Sequence, residues 1–114
     1  MSRVTQLPKF ADGRGWSLND IYDMVDSDEY QINYSILYPG VVKAWHRHKH
    51  QDDMFCILNG MAQVGIYSDE NGPEKFFIGE HNPAVVHVKA GEWHGLTAVG
   101  NEPCGLLYLV TKKY

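Results

Sequence analysis

Cysteine is scarce in this 114-residue sequence. Cys56 and Cys104 each sit inside an apolar, strand-like run, where a small buried residue is commoner than a disulfide, so no bridge and no cysteine chemistry is expected. Long apolar stretches are missing too. The opening MSRVTQLPKFADGRG holds no run fit for a signal peptide, and no segment approaches the length needed to cross a bilayer. A cytoplasmic protein without a membrane partner is the resulting expectation. Basic charge is short as well: ten Lys and Arg against fourteen Asp and Glu leave a formal charge of -4, and the basic residues are scattered. A nucleic-acid surface needs Lys and Arg clustered on one face, so no nucleic-acid partner is expected, while an anionic small molecule stays open. Internal repeats and low-complexity segments are absent.

What is present reads as an all-β chain. A hydrophobic content of 44% lies in the globular range, and this length has room for one core, hence one domain over 1–114 with an N-terminal arm at 1–29 and a barrel at 30–114. Residues 1–15 read as a loop or arm. WSLNDIYDMV at 16–25 fits either a short helix with Leu18, Ile21 and Val25 on one stripe or a strand. Strand-like segments then follow at 30–38, 41–48, 54–58 and 62–67. Asn59-Gly60 between two apolar runs is a strong hairpin signal, which suggests a β-meander. SDENGPEK at 68–75 reads as an exposed hairpin tip. KFFIG, AVVHVK, a turn at 89–91, and strands at 93–99 and 104–111 complete eight or nine short strands.

The chemistry concentrates in GVVKAWHRHKHQDDMFCILNG at 40–60. His46, His48 and His50 alternate, and residues two apart in a strand share a face, so three imidazoles are expected to look into one space beside Asp52 and Asp53. Buried ring nitrogens need partners, which makes such a set hard to explain as packing. His50 also fits a loop after the strand, Asp52 fits a turn cap, and His81 and His87 fit surface or structural roles. Trp45 and Trp93, each just before a site histidine, would point away from the pocket into core or dimer packing. Trp16 could stack on a base or sugar.

These residues carry a resemblance to the cupin superfamily. Gly40, His46, His48, Asp53 and Gly60 fall on the spacing of its first motif, with Asp for Glu, and Gly91 and His94 match the second, with Lys89 in place of Pro. Over nearly the whole chain the sequence is similar to the dTDP-4-dehydrorhamnose 3,5-epimerase family and related nucleotide-sugar isomerases. FADGRG at 10–15, GVVKAWH at 40–46, KAGEWHGL at 89–96 and LYLVTKKY at 107–114 resemble that family's segments, and His46-Arg47-His48-Lys49 resembles the His-x-His-Lys element of 3,4-ketoisomerases.

The resemblance implies a small jelly-roll barrel of the double-stranded β-helix type and a homodimer. It implies epimerisation or isomerisation of a nucleotide-linked 4-keto-6-deoxy sugar, in deoxysugar or surface polysaccharide synthesis, without a cofactor. His46 falls on the family's catalytic base, Tyr108 on its general acid and Tyr114 on a second tyrosine. His48 is a candidate for holding the enolate oxygen or for a second base, and Asp53 for orienting a ring nitrogen. Arg14 and Lys43 are candidates for the diphosphate, and His94 for a further substrate contact. Three departures accompany the matches: the family's enolate-stabilising lysine falls on Asp53, its arginine before the catalytic histidine is Lys43 here, and the sequence stops before a C-terminal segment in which the family carries an aspartate partner of the base. A competing reading makes His46, His48, Asp53 and His94 a three-His, one-carboxylate centre for Fe, Mn, Ni or Zn. A third is a non-catalytic small-molecule-binding cupin.

Overall fold

The computed structural model describes residues 2–111. In chain order the strands are β1 (Val4–Gln6), β2 (Lys9–Asp12), β3 (Gly15–Leu18), β4 (Gln31–Leu37), β5 (Val42–His46), β6 (Asp53–Asn59), β7 (Met61–Ser68), β8 (Gly72–Gly79), β9 (Ala84–Val88), β10 (Trp93–Val99) and β11 (Cys104–Val110). They build a five-stranded sheet in the order β1-β9-β6-β11-β4, a four-stranded sheet in the order β5-β10-β7-β8, and a separate β2-β3 ribbon. Every strand pair is antiparallel. Among the described residues there is no α-helix, and no helix long and apolar enough to cross a membrane. Two facing antiparallel sheets wound in this order make the jelly-roll barrel expected from the sequence.

Alternation builds the barrel core. β7 turns Ala62, Val64 and Ile66 inward to meet Ile57 of β6, Ile78 of β8 and Val86 of β9. β6 departs from alternation and is buried on both faces. Its outer side, Met54 and Cys56, joins Val85 and Leu109 in a second cluster roofed by Leu18, Ile21, Tyr22, Met24 and Val25. A strand covered on both sides reads as a continuous apolar run. The Tyr22 hydroxyl donates toward the carbonyls of Met54, at 3.1 Å, and Leu107.

Several sequence expectations change here. Asn59-Gly60 does not close a hairpin, since β6 pairs with β9 and β11 while β7 pairs with β8 and β10. The chain is therefore not a meander. Gly60, at φ 75°, serves a corner between sheets as readily as a two-residue hairpin, and its N–H is held by the Glu80 carboxylate at 2.8 Å. A hairpin instead joins β7 to β8. Its tip is only 69–71, because Gly72 to Lys75 stay paired with Ser68 to Gly65. Residues 4–6, expected as loop, form an edge strand on β9. Residues 16–25 are neither a helix nor one strand. β3 ends at Leu18, and turns closed by Asp23 N–H to Asp20 C=O and Val25 N–H to Tyr22 C=O follow. Leu18, Ile21 and Val25 still share one buried destination, which is what their spacing recorded.

Candidate active site

Strands from both sheets line a cavity of about 180 Å³ between them. Its wall brings together Lys43, His46, His48, Asp53, His94 and Tyr108. Lys43 and His46 are three residues apart and should oppose each other in a regular strand. They share the cavity because β5 bulges against β10: His94 pairs with His46 and Leu96 with Lys43, so three residue steps on β5 match two on β10. Gly95 permits the close approach, since a Cβ there would lie 2.6 Å from that of Ala44.

His46 closes β5, and the chain then leaves the strand. The His48 carbonyl accepts from Gly91 N–H at 2.7 Å, tying this segment to the turn before β10. The His94 ring lies 6.2 Å from His46 and 5.4 Å from His48, centroid to centroid. His50 is exposed and does not line the cavity, because the alternation that would have aligned it ends with β5. Asp53 opens β6 with only 5% of its surface exposed. Its Oδ1 accepts from Gln51 Nε2 at 2.8 Å, and its Oδ2 lies 3.5 Å from His48 Nε2 and 3.3 Å from His94 Nε2. His94 Nδ1 lies 3.3 Å from the Glu92 carbonyl. Phe55 sits between His94 and Tyr108, its ring 5.7 Å and 6.1 Å from theirs.

Asp52 points elsewhere. Its carboxylate meets His87 Nε2 at 2.8 Å and accepts from Ala90 N–H at 2.8 Å, so it caps the 89–91 turn as its position suggests. His87 is a buried partner in that anchoring, the structural one of its two expected roles. Arg3 completes the support: its guanidinium grips both oxygens of Glu92 at 2.6 Å and holds that carboxyl below its ordinary range.

Arg14 is not brought to the cavity. It lies exposed in the turn of the β2-β3 ribbon, its Nη2 2.6 Å from an Asp12 carboxylate oxygen. Tyr114 lies outside the described residues. Trp45 and Trp93 are absent from the cavity wall but are not core: Trp45 is 57% exposed and covers Gly65, and Trp93 lies under the Arg47 guanidinium at 4.7 Å. Trp16 lies on the ribbon with Lys9 Nζ 4.4 Å from its ring. Sequence reasoning missed Ser35, Gln51 and Phe55 in the wall. For Ser35 a signal existed, because β4 places Gln31, Asn33 and Ser35 on one face and large apolar residues on the other.

Three donor groups, His48, Asp53 and His94, lie close enough to hold a metal ion, and His46 stands outside that group. The wall therefore offers imidazoles for proton transfer, a phenol, one lysine and a buried carboxylate.

No protein-family model matches the chain. It is 42% identical over 123 residues to the probable low-salt glycan biosynthesis epimerase Agl13 of Haloferax volcanii, covering 97% of this chain and 78% of that protein. In fold it is similar to a dTDP sugar isomerase from Desulfovibrio desulfuricans, with a TM-score of 0.86 at 21% identity over 97% of this chain and 76% of the other. It is likewise similar to the dTDP-6-deoxy-D-glucose-3,5-epimerase RmlC of Legionella pneumophila, solved with dTDP-4-keto-L-rhamnose, with a TM-score of 0.81 at 15% identity over 97% of this chain and 66% of that one. Glycan-epimerase kinship along nearly the full sequence, on a jelly roll whose interior carries the histidines, places the chain in the family of glycan-biosynthesis epimerases to which Agl13 belongs.

Proposed function

We propose that this protein epimerises or isomerises a nucleotide-linked 4-keto-6-deoxy sugar, in the synthesis of deoxysugars or surface polysaccharide. The observation that carries the reading is that His46 and Tyr108, a base and an acid of suitable chemistry, line one cavity with His48 and His94. A proton on the carbon beside a ketone is removed by His46, and the electron pair moves to the ketone oxygen to give an enolate. Return of a proton from Tyr108 to the opposite face inverts the carbon, and the two residues then exchange protons through solvent. The sequence is redox-neutral, and every step is assigned to side chains of this chain; no cofactor is invoked. Lys43 takes the diphosphate or the enolate oxygen, His94 and His48 contact the sugar, and Asp53 orients their rings.

The protein acts as a homodimer in this reading. β4 is an edge strand whose outer face presents Tyr30, Ile32, Tyr34, Ile36 and Tyr38, all exposed, a row suited to burial against a second copy.

Incubation with a dTDP-linked 4-keto-6-deoxy sugar in deuterium oxide tests the chemistry. Deuterium should wash into the carbon next to the ketone, and His46→Asn should stop it. Absence of exchange from the folded wild-type chain on all such sugars would remove the epimerase and isomerase readings together.

A further inference from the structure

We propose that the Arg3–Glu92 ion pair, which stands outside the cavity wall, is a positioning pair for the chemistry: it fixes the turn before β10 and, through that turn, the ring of His94. The proposal rests on the reading of His94 and His48 as substrate contacts. Arg3 immediately precedes β1, and its guanidinium makes a forked contact that a lysine could not reproduce. Nη1 donates to Glu92 Oε1 and to the His87 carbonyl, both at 2.6 Å, while Nη2 donates to Glu92 Oε2 at 2.6 Å. The Arg3 side chain is 17% exposed and that of Glu92 10%, so the pair is screened little by water and salt. The main chain of Arg3 is bound as well, its carbonyl accepting from His87 N–H at 2.8 Å.

What Glu92 holds is the turn. Three successive backbone N–H groups there are engaged: Lys89 donates to Glu92 Oε1 at 2.8 Å, Ala90 to Asp52 Oδ1 at 2.8 Å and Gly91 to the His48 carbonyl at 2.7 Å. The first acceptor is gripped by Arg3, and the last belongs to a histidine of the cavity wall. Glu92 also presents its own carbonyl to His94 Nδ1 at 3.3 Å, while Asp53 Oδ2 stands 3.3 Å from Nε2 of the same ring. The His94 imidazole thus lies between two oxygen acceptors, one on β6 and one on the turn, and its orientation follows the placement of the turn. Without Arg3 the Glu92 carboxylate keeps the Lys89 N–H and loses both guanidinium bonds, which unties this turn from β1.

The place where this tie ends gives it a catalytic consequence. It ends two residues before His94, on the residue whose carbonyl faces that ring. A displacement of about 1 Å at a reacting centre can cost about 100-fold in rate, even when it originates far from the chemistry. Glu74 supplies an internal control. Its carboxylate meets the same guanidinium at 3.3 Å, but it lies on β8 and not on the turn.

The test uses the full chain with a dTDP-linked 4-keto-6-deoxy sugar in deuterium oxide, and the ring-nitrogen NMR resonances of isotope-labelled histidine recorded without substrate. Arg3→Ala should lower kcat for wash-in by about 10–100-fold per folded molecule, with KM little changed, and should displace the His94 Nδ1 resonance. Arg3→Lys keeps the charge but not the fork, and should recover the unfolding midpoint more than kcat. Should Arg3→Ala fail to fold, Arg3→Lys and Glu92→Gln carry the same two readouts. Glu74→Gln should match the wild type in rate and in spectrum. A wild-type kcat in folded Arg3→Ala would overturn the proposal and leave Arg3 a tie for stability alone, and so would an unmoved His94 resonance. A loss in Glu74→Gln as large as that in Arg3→Ala would also overturn it, since the field of the whole cluster and not the tie to the turn would then be at work. If the folded wild type shows no wash-in on any keto sugar, the epimerase reading falls, and the His94 resonance alone decides whether Arg3 places the ring.

Discussion

Strands β4 and β7 alternate with the same period and opposite sense. β7 turns Ala62, Val64 and Ile66 into the barrel and leaves Gln63 and Tyr67 outside. β4 turns Ser35 toward the cavity, keeps Gln31 and Asn33 on the same face, and leaves Ile32, Tyr34 and Ile36 about half exposed. The one pattern closes a core, where buried apolar area stabilises the fold. The other keeps polar groups inside, which a jelly roll tolerates only where it encloses a binding space, and it moves the apolar row to the outer face of an edge strand. Stability and function should therefore separate along these two strands and their neighbours.

Two substitutions break that separation if it is wrong. His46→Asn on the cavity side should lower deuterium wash-in by about 10²–10⁴-fold, the usual worth of a general base, with the unfolding midpoint nearly unchanged. Ile66→Ala on the β7 side removes a fully buried side chain and should cost about 2–5 kcal/mol in chemical denaturation, while wash-in per folded molecule persists. A His46→Asn chain that melts, or an Ile66→Ala chain that stays stable and loses exchange, would reverse the assignment of the two regions.

The outer face of β4 sharpens the comparison. If Ile32 and Ile36 meet a second copy, Ile32→Lys with Ile36→Lys should turn a dimer into a monomer in sedimentation, since each buried anchor is worth about 2 kcal/mol or more. The equivalent outward change on β7, Gln63→Lys, should leave the assembly intact. A wild-type chain that sediments as a monomer at micromolar concentration would leave the apolar row without a second copy to cover it.

Much of this division is legible in the sequence itself. Motif spacing marked His46, His48, Asp53 and His94, because fixed turns at Gly40 and Gly91 set those residues at known offsets from strand ends. Lys43 beside His46 was not legible from alternation, because a bulge adds a residue that periodicity does not reveal. Asn59-Gly60 misled for a different reason: positive φ says that the chain turns, but not whether the next strand stays in the same sheet. Which of its two expected roles His87 takes is not legible, because its burial depends on Asp52, thirty-five positions away, and pairings at that range leave no local pattern. The continuous apolar run at 54–58 implies a strand covered on both faces, but nothing within it identifies residues 18–25 as the roof of the second one.

That doubly covered strand yields the smallest effect and the most specific one. Cys56 lies on the outer face of β6 with no exposed surface, and burial pushes its thiol from 9.0 up to about 11. The folded chain therefore holds this proton more tightly than the unfolded chain does. The contribution to stability is whole below pH 9 and is lost as pH rises toward 11, because the unfolded thiol ionises first. At pH 10 the linkage amounts to about 1.4 kcal/mol, one pH unit of one proton. Other groups titrate in the same window, so the measurement is a difference: unfolding free energies of wild type and Cys56→Ala at pH 7, 8, 9 and 10. The gap between the two chains should be constant to pH 8 and then shrink by about that amount by pH 10. On β4, where outward positions meet solvent, a cysteine in place of Ile36 should show no such narrowing in a monomer and a partial one in a dimer that covers it. A gap for Cys56 that stays constant to pH 10 would mean that water reaches the outer face of β6, and the contrast between a roofed strand and an open one would fail there.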